Sequence, residues 1–301
     1  IDAAHRHGIN VVNDVVYNHI HEEVHSLIGF GGYDNSYVNH AGKGREPRAK
    51  GAPCGLLPAY GREFVGQFFV DHAVAQIDEF HFDGLRLDLT APIKDLGKKA
   101  GWDVLRRINR TLENCQKPVC TIAEQFDYDP SMTQAIVRDT KDRNGTGCGF
   151  TKSLFTETNH RLVRSGDGTS LLEEAAAGKK TSIDRFMKVL LEHPGFESWA
   201  KAVSVLTNHD ELGNGLRTIL IAMGKEKGPL PSDRARGLAR MVASLLLLGP
   251  GTPMFFQGEE SMAHNAFGWS LFSTWDLGWD WLKVGAKYDV RQVDIGDARR
   301  A

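Results

Sequence analysis

Short runs rich in Val, Ile and Leu alternate along this chain with stretches of helical periodicity, and nearly every run breaks off into polar or charged residues. Strand candidates fall at 9–16, 82–88, 119–123, 153–156, 202–207 and 253–256. Between and beside them, apolar residues recur every three or four positions over 62–80, 102–112, 171–177, 183–191 and 234–248. Strands that take turns with helices build a parallel sheet covered by those helices. Polar residues collected just past the strand ends are the pattern of a (β/α)8 barrel, whose post-strand loops form the active site. An open doubly wound sheet is the alternative. It normally places a Gly-rich phosphate-binding turn after a strand, and none is present.

Six strands are two short of eight, and the chain opens on residues 1–8, which read as the last turns of a helix stopped by Gly8. The expectation is therefore an α/β fold, a (β/α)8 barrel lacking its first two βα units and any C-terminal β-domain. A single barrel domain covers 1–301, with 20–61 as a long loop after the third barrel strand.

Phe82-Asp83-Gly84-Leu85-Arg86-Leu87-Asp88 carries the first chemical signal. Side chains two apart on a strand share a face, so Arg86 and Asp88 point one way and Leu85 and Leu87 the other. Such a pair is either a structural ion pair or a carboxylate held ionised beside a cation, ready to act as a nucleophile. Glu124 follows the apolar Thr121-Ile122-Ala123, and Asp210 follows 202–207, so three acids stand at the ends of three strands. Cleaving a glycosidic bond needs a nucleophile on one face of the sugar and a proton donor on the other. Arg86 opposes protonation of Asp88, while a semi-buried setting favours a protonated Glu124.

The runs Asp14-Val15-Val16-Tyr17-Asn18-His19, Gly84-Leu85-Arg86-Leu87-Asp88, Ala123-Glu124 and Asn208-His209-Asp210 resemble, in order, four signatures of the α-amylase superfamily, glycoside hydrolase family 13. The resemblance implies Asp88 as nucleophile, Glu124 as general acid/base and Asp210 as transition-state stabiliser. It implies that Arg86 orients the nucleophile, that His19 and His209 bind hydroxyls of the reacting glucose, and that Asp14 and Asn18 support them. Some members bind calcium at the Asn18 position; too few acids cluster here to expect a metal, and no cofactor is expected.

Asp210-Glu211 and Pro253-Met254-Phe255-Phe256-Gln257-Gly258-Glu259-Glu260 are similar to 1,4-α-glucan (glycogen) branching enzymes. Gly84 through Ile93 is similar to malto-oligosyltrehalose trehalohydrolases, and an α-amylase-type hydrolase is a further alternative. A third class, barrel relatives that survive as non-catalytic binding subunits, lacks the acid set that is intact here. The expected partner is an α-1,4-glucan or maltooligosaccharide, and Tyr33, Tyr37, Phe126, Tyr128, Trp269 and Trp275 are candidates to stack on its rings.

The net charge of −2 points away from nucleic acid and anionic membranes. No apolar run is long enough to span a bilayer. Cys54, Cys115, Cys120 and Cys148 match no metal-binding spacing and read as thiols of a reducing, cytoplasmic compartment.

Overall fold

The structure, a computed structural model, describes residues 1–20, 55–126, 129–136, 147–155, 162–163, 170–176, 178–193, 195–210, 233–256 and 259. It divides into two compact units, Ile1–Leu154 with Gly195–Ala202, and Phe155–Pro194 with Val203–Ala301.

In the first unit, helix α1 (Asp2–Arg6) ends where Gly8 takes a φ of 70°, a left-handed turn that glycine enters without a side-chain clash. Strand β1 (Val12–Val15) leads to helix α2 (Glu63–Asp78) and strand β2 (Gly84–Leu87). Helices α3 (Thr90–Asp95) and α4 (Lys98–Glu113), then β3 (Cys120–Ala123) and β4 (Lys152–Phe155), complete the regular elements there. All pairings are parallel: Val12 to Val15 run beside Gly84 to Leu87, and these run beside Cys120 to Ala123. Ile122 and Ala123 pair in turn with Lys152 and Ser153. A Cβ on Gly84 would lie 2.3 Å from the Cys120 carbonyl oxygen, so only glycine lets β2 and β3 close at that point.

Every residue of β2 is buried, as expected of a parallel strand covered on both faces. Leu85 and Leu87 are fully buried in a core that includes Val65, Phe69, Ala73 and Ile77 of α2 and Leu105, Ile108 and Leu112 of α4. The α2 set recurs every fourth residue, which puts it on one helix face. Each of the larger side chains in this core, Ala73 aside, contributes about 1.5–3 kcal/mol by leaving water.

In the second unit, α5 (Leu171–Ala176) and α6 (Ile183–Leu191) precede β5 (Ala202–Val205), and α7 (Asp233–Leu248) precedes β6 (Thr252–Met254). β5 and β6 are parallel, Val203 to Val205 beside Thr252 to Met254. Leu172, Phe186, Val189, Leu206, Val242 and Leu246 belong to its own core. Ser182 caps α6 by accepting from the Arg185 N–H.

The α/β class and the parallel pairing are as the sequence led one to expect, with five of the strands shorter than expected and β4 shifted by one residue at the same length. One helix was not foreseen: α3, only six residues long, carries Pro92 in its first turn, where a missing N–H costs nothing. Of the 20–61 loop only its two ends are described, and they meet. Ile20 and Leu56 exchange backbone hydrogen bonds of 2.8 and 2.9 Å. Among the described residues no helix is long and apolar enough to cross a membrane.

Candidate active site

Parallel pairing brings the C-terminal ends of β1, β2 and β3 together, and with them six of the eight residues singled out from sequence. Their hub is Arg86, whose side chain is only 9% exposed. Its Nη1 donates to both carboxylate oxygens of Asp14 at 2.6 Å, reaches Asp88 Oδ1 more loosely at 3.4 Å, and its Nη2 ion-pairs with Glu124 Oε1. Burial alone would lower the Arg86 pKa, but the charges of Glu124, Asp14 and Asp88 outweigh it and hold the guanidinium above its ordinary value. The sequence reading gave Arg86 to Asp88. In the structure Asp88 is instead the weakest of its three carboxylate partners.

Asp88 is held mainly by Asn18. The Asn18 amide donates to the Asp88 carbonyl oxygen at 2.8 Å and to Oδ2 at 2.7 Å. With that amide nitrogen engaged, Asn18 Oδ1 is the acceptor for His19 Nδ1 at 2.5 Å, so Nδ1 carries the hydrogen and Nε2 holds the lone pair in the neutral ring. The side chain of Asp88 remains 25% exposed.

The backbone that presents Asn18 and His19 is itself fixed from two sides. Tyr60, at the base of the long loop, donates to the Tyr17 carbonyl at 2.6 Å. Tyr17 Oη lies 2.7 Å from His72 Nδ1 on α2, and Gln76 Nε2 donates to His72 Nε2 at 3.2 Å, so Nδ1 is the protonated nitrogen and Tyr17 accepts. Burial lowers the His72 pKa and raises those of Tyr17 and Tyr60, which keeps all three neutral. Sequence reasoning missed this support; no local pattern marks a side chain that bolts a strand end to a helix fifty residues on.

Glu124 is 1% exposed, more deeply placed than the semi-buried acid expected, and its surroundings are not apolar. Arg86 faces Oε1, and the Leu89 N–H donates to Oε2 at 3.0 Å. Thr90 holds the Glu124 carbonyl oxygen through its N–H at 2.8 Å and its hydroxyl at 2.9 Å. Leu89 reaches this position at φ 39° and ψ 72°, left-handed backbone that costs a branched residue about 1–3 kcal/mol.

His209 and Asp210 lie in the second unit, just past β5. His209 Nε2 is 3.4 Å from Asp210 Oδ2, and both side chains are about a quarter exposed. Beside them Thr207 Oγ1 hydrogen-bonds Glu259 Oε1, and the Phe256 N–H donates to Glu259 Oε2 at 3.1 Å. Glu259, noticed in the sequence only as part of a similar segment, thus fastens the end of β6 to the end of β5.

Glu211, Gln257, Gly258, Glu260, Cys54, Tyr33, Tyr37, Tyr128, Trp269 and Trp275 lie outside the described residues. Phe126 is half-buried, and its carbonyl accepts from Gln125 Nε2 at 2.9 Å. Cys115, Cys120 and Cys148 are free thiols. Among the described residues no group of three His, Cys, Asp or Glu side chains is placed to hold a metal ion.

No family model matches the chain. It is similar to a malto-oligosyltrehalose trehalohydrolase of Arthrobacter ramosus, 26% identical over 291 residues, which are 91% of this chain and 46% of that protein. It is also similar to a 1,4-alpha-glucan branching enzyme of Xanthomonas oryzae, 28% identical over 317 residues, 99% of this chain and 39% of that protein. The chain thus spans less than half the length of these relatives. Among solved structures, a type I pullulanase from Bacillus subtilis, crystallised with maltose, aligns with a TM-score of 0.64 at 17% identity, over 98% of this chain and 41% of that one.

Proposed function

We propose that this chain, a homologue of the branching enzymes and trehalohydrolases of the α-amylase superfamily, carries the catalytic centre of a retaining enzyme that acts on α-glucans. The observation that carries this reading is one guanidinium, Arg86, gathered with Asp14, Asp88 and Glu124 at the ends of three neighbouring parallel strands. The same reading takes these strands as part of a (β/α)8 barrel, the architecture that collects strand-end residues on one face.

Asp88 attacks the anomeric carbon of a bound glucosyl unit with a carboxylate oxygen. The C1–O bond breaks, and the departing oxygen takes the proton of Glu124. In the second half Glu124, now a carboxylate, removes the proton of an acceptor hydroxyl, which displaces Asp88 and restores the original configuration. In this structure the Arg86 guanidinium faces one oxygen of Glu124 and the Leu89 N–H donates to the other, an arrangement that suits its ionised half-cycle. His19 and His209 hydrogen-bond hydroxyls of the sugar, and Asp210 stabilises the positive charge that develops at C1.

The acceptor is the 6-hydroxyl of a second glucan, which makes the reaction 1,4-α-glucan branching. Support comes from Asp210-Glu211, the segment 253–260 and the branching enzymes among the relatives. A second reading, release of trehalose from maltooligosyl-trehalose, is favoured by Gly84 through Ile93 and by the Arthrobacter relative. Incubation with amylose separates them. Branching lowers iodine staining with little gain in reducing ends. A large gain in reducing ends means hydrolysis, and free trehalose from maltooligosyl-trehalose identifies the second reading.

A further inference from the structure

We propose that the turn Leu89–Thr90, the two residues that follow the nucleophile, is the positioning device for the acid/base Glu124, with the Thr90 hydroxyl as its removable part. The inference rests on the reading of Glu124 as acid/base. Three hydrogen bonds from this turn converge on one residue thirty-five positions away: Leu89 N–H on the reacting carboxyl, Thr90 N–H and Thr90 Oγ1 on the backbone carbonyl. Thr90 Oγ1 also lies 2.8 Å from Gln125 Oε1, and its single hydrogen serves one acceptor at a time.

The turn is not a passive neighbour. A bulky residue adopts left-handed backbone only where its surroundings over-determine it, and here that conformation at Leu89 aims the N–H at Oε2. Thr90 is completely buried, so its hydroxyl would lack a partner without Glu124 or Gln125. Behind the turn, Lys94 of α3 ion-pairs with Asp129 in the segment after β3, so both flanks are tied. The nucleophile and the proton donor are therefore held as one rigid piece. Asp88 cannot shift along its strand without dragging the N–H that orients Glu124.

A hydroxyl that acts only through Glu124 should matter only where Glu124's proton is needed. With a maltooligosaccharide, the breaking C1–O bond releases an oxygen that takes that proton. With α-maltosyl fluoride, C1–F breaks and fluoride leaves without it, while Asp88 attacks in the same way. Thr90→Val, which removes the hydroxyl but keeps shape and the backbone N–H, is expected to lower kcat/KM about tenfold for the maltooligosaccharide, part of the roughly 10²–10⁴-fold that a general acid supplies. For the fluoride the loss should stay within about twofold, and Thr90→Ser, which keeps the hydroxyl, should restore both.

Glu124→Gln is the reference and should show the same leaving-group dependence with a larger loss. Equal losses on both substrates for Thr90→Val, or none on either, overturn the proposal while Glu124→Gln keeps its pattern. If Glu124→Gln itself lacks leaving-group dependence, the acid/base reading fails and this inference falls with it. Should Thr90→Val not fold, Thr90→Ala measured on the same two substrates decides.

Discussion

Strand β2 carries an aspartate at each end, and the two are treated in opposite ways. Asp83, before the strand, accepts from the Val11 N–H at 2.8 Å, sits 2.7 Å from His5 Nε2, and lies 3.3 Å from Lys117 Nζ. Both of its oxygens are engaged, and two basic side chains, His5 and Lys117, approach it. Asp88, after the strand, has an amide on one oxygen and only a 3.4 Å approach to a cation that two other carboxylates hold more closely. A carboxylate crowded by donors and cations holds a fold together and is a poor nucleophile. A carboxylate that is oriented but under-neutralised is what attack on an electrophilic carbon requires.

The largest effect that can break this contrast is on turnover. Asp88→Ala should lower kcat by about 10⁴-fold or more, since a whole covalent step is lost, and should leave folding within about 1 kcal/mol of the parent. Asp83→Asn should leave turnover within about twofold. Comparable activity losses in the two variants would erase the distinction between the strand's ends.

How much of this was legible beforehand differs from residue to residue. The helices α2, α4 and α6 were readable because buried residues fall on one face, as at Val65, Phe69, Ala73 and Ile77. α3 was not, since six residues with a proline show no period. The acids at the ends of β2 and β3 stood out because ordered motifs flank them. What strand alternation cannot say is how Arg86 divides itself. Alternation puts Arg86 and Asp88 on one face, but Asp14 comes from a strand 72 positions earlier, and register alone sets it opposite Arg86. Likewise two of the groups that donate to Glu124 are the backbone N–H groups of Leu89 and Thr90, which have no side-chain signature.

An intermediate effect follows from sharing one cation among three acids. Arg86→Ala leaves Glu124 buried without its guanidinium partner and should cost about 3–5 kcal/mol in urea unfolding, the usual result of removing one side of a buried pair. Arg86→Lys keeps the charge but cannot fork between Asp14 and Glu124, so stability should recover by more than half while kcat/KM stays about 10²-fold down. If Lys restores turnover fully, the guanidinium serves only as charge, and the geometry around it is incidental.

The smallest effect probes the other end of the strand and carries a sign in pH. The Val11 N–H is the largest influence on Asp83; partial burial works against it, and His5 and Lys117 add to it, so the carboxyl is held at about 2 against an ordinary 3.8. The folded chain therefore keeps Asp83 ionised in a range where the unfolded chain has taken up a proton. Its contribution is fully present above about pH 4 and fades as pH falls through about 2. Asp83 is 18% exposed, so solvent screening reduces the benefit, and Asp83→Asn should cost about 1–2 kcal/mol at neutral pH. Urea unfolding at stepwise lower pH should find that cost constant down to about pH 4 and shrinking below it. A cost that stays the same down to pH 3 would mean that Asp83 works by shape and neutral hydrogen bonds, and the two ends of β2 would then differ in packing rather than in charge.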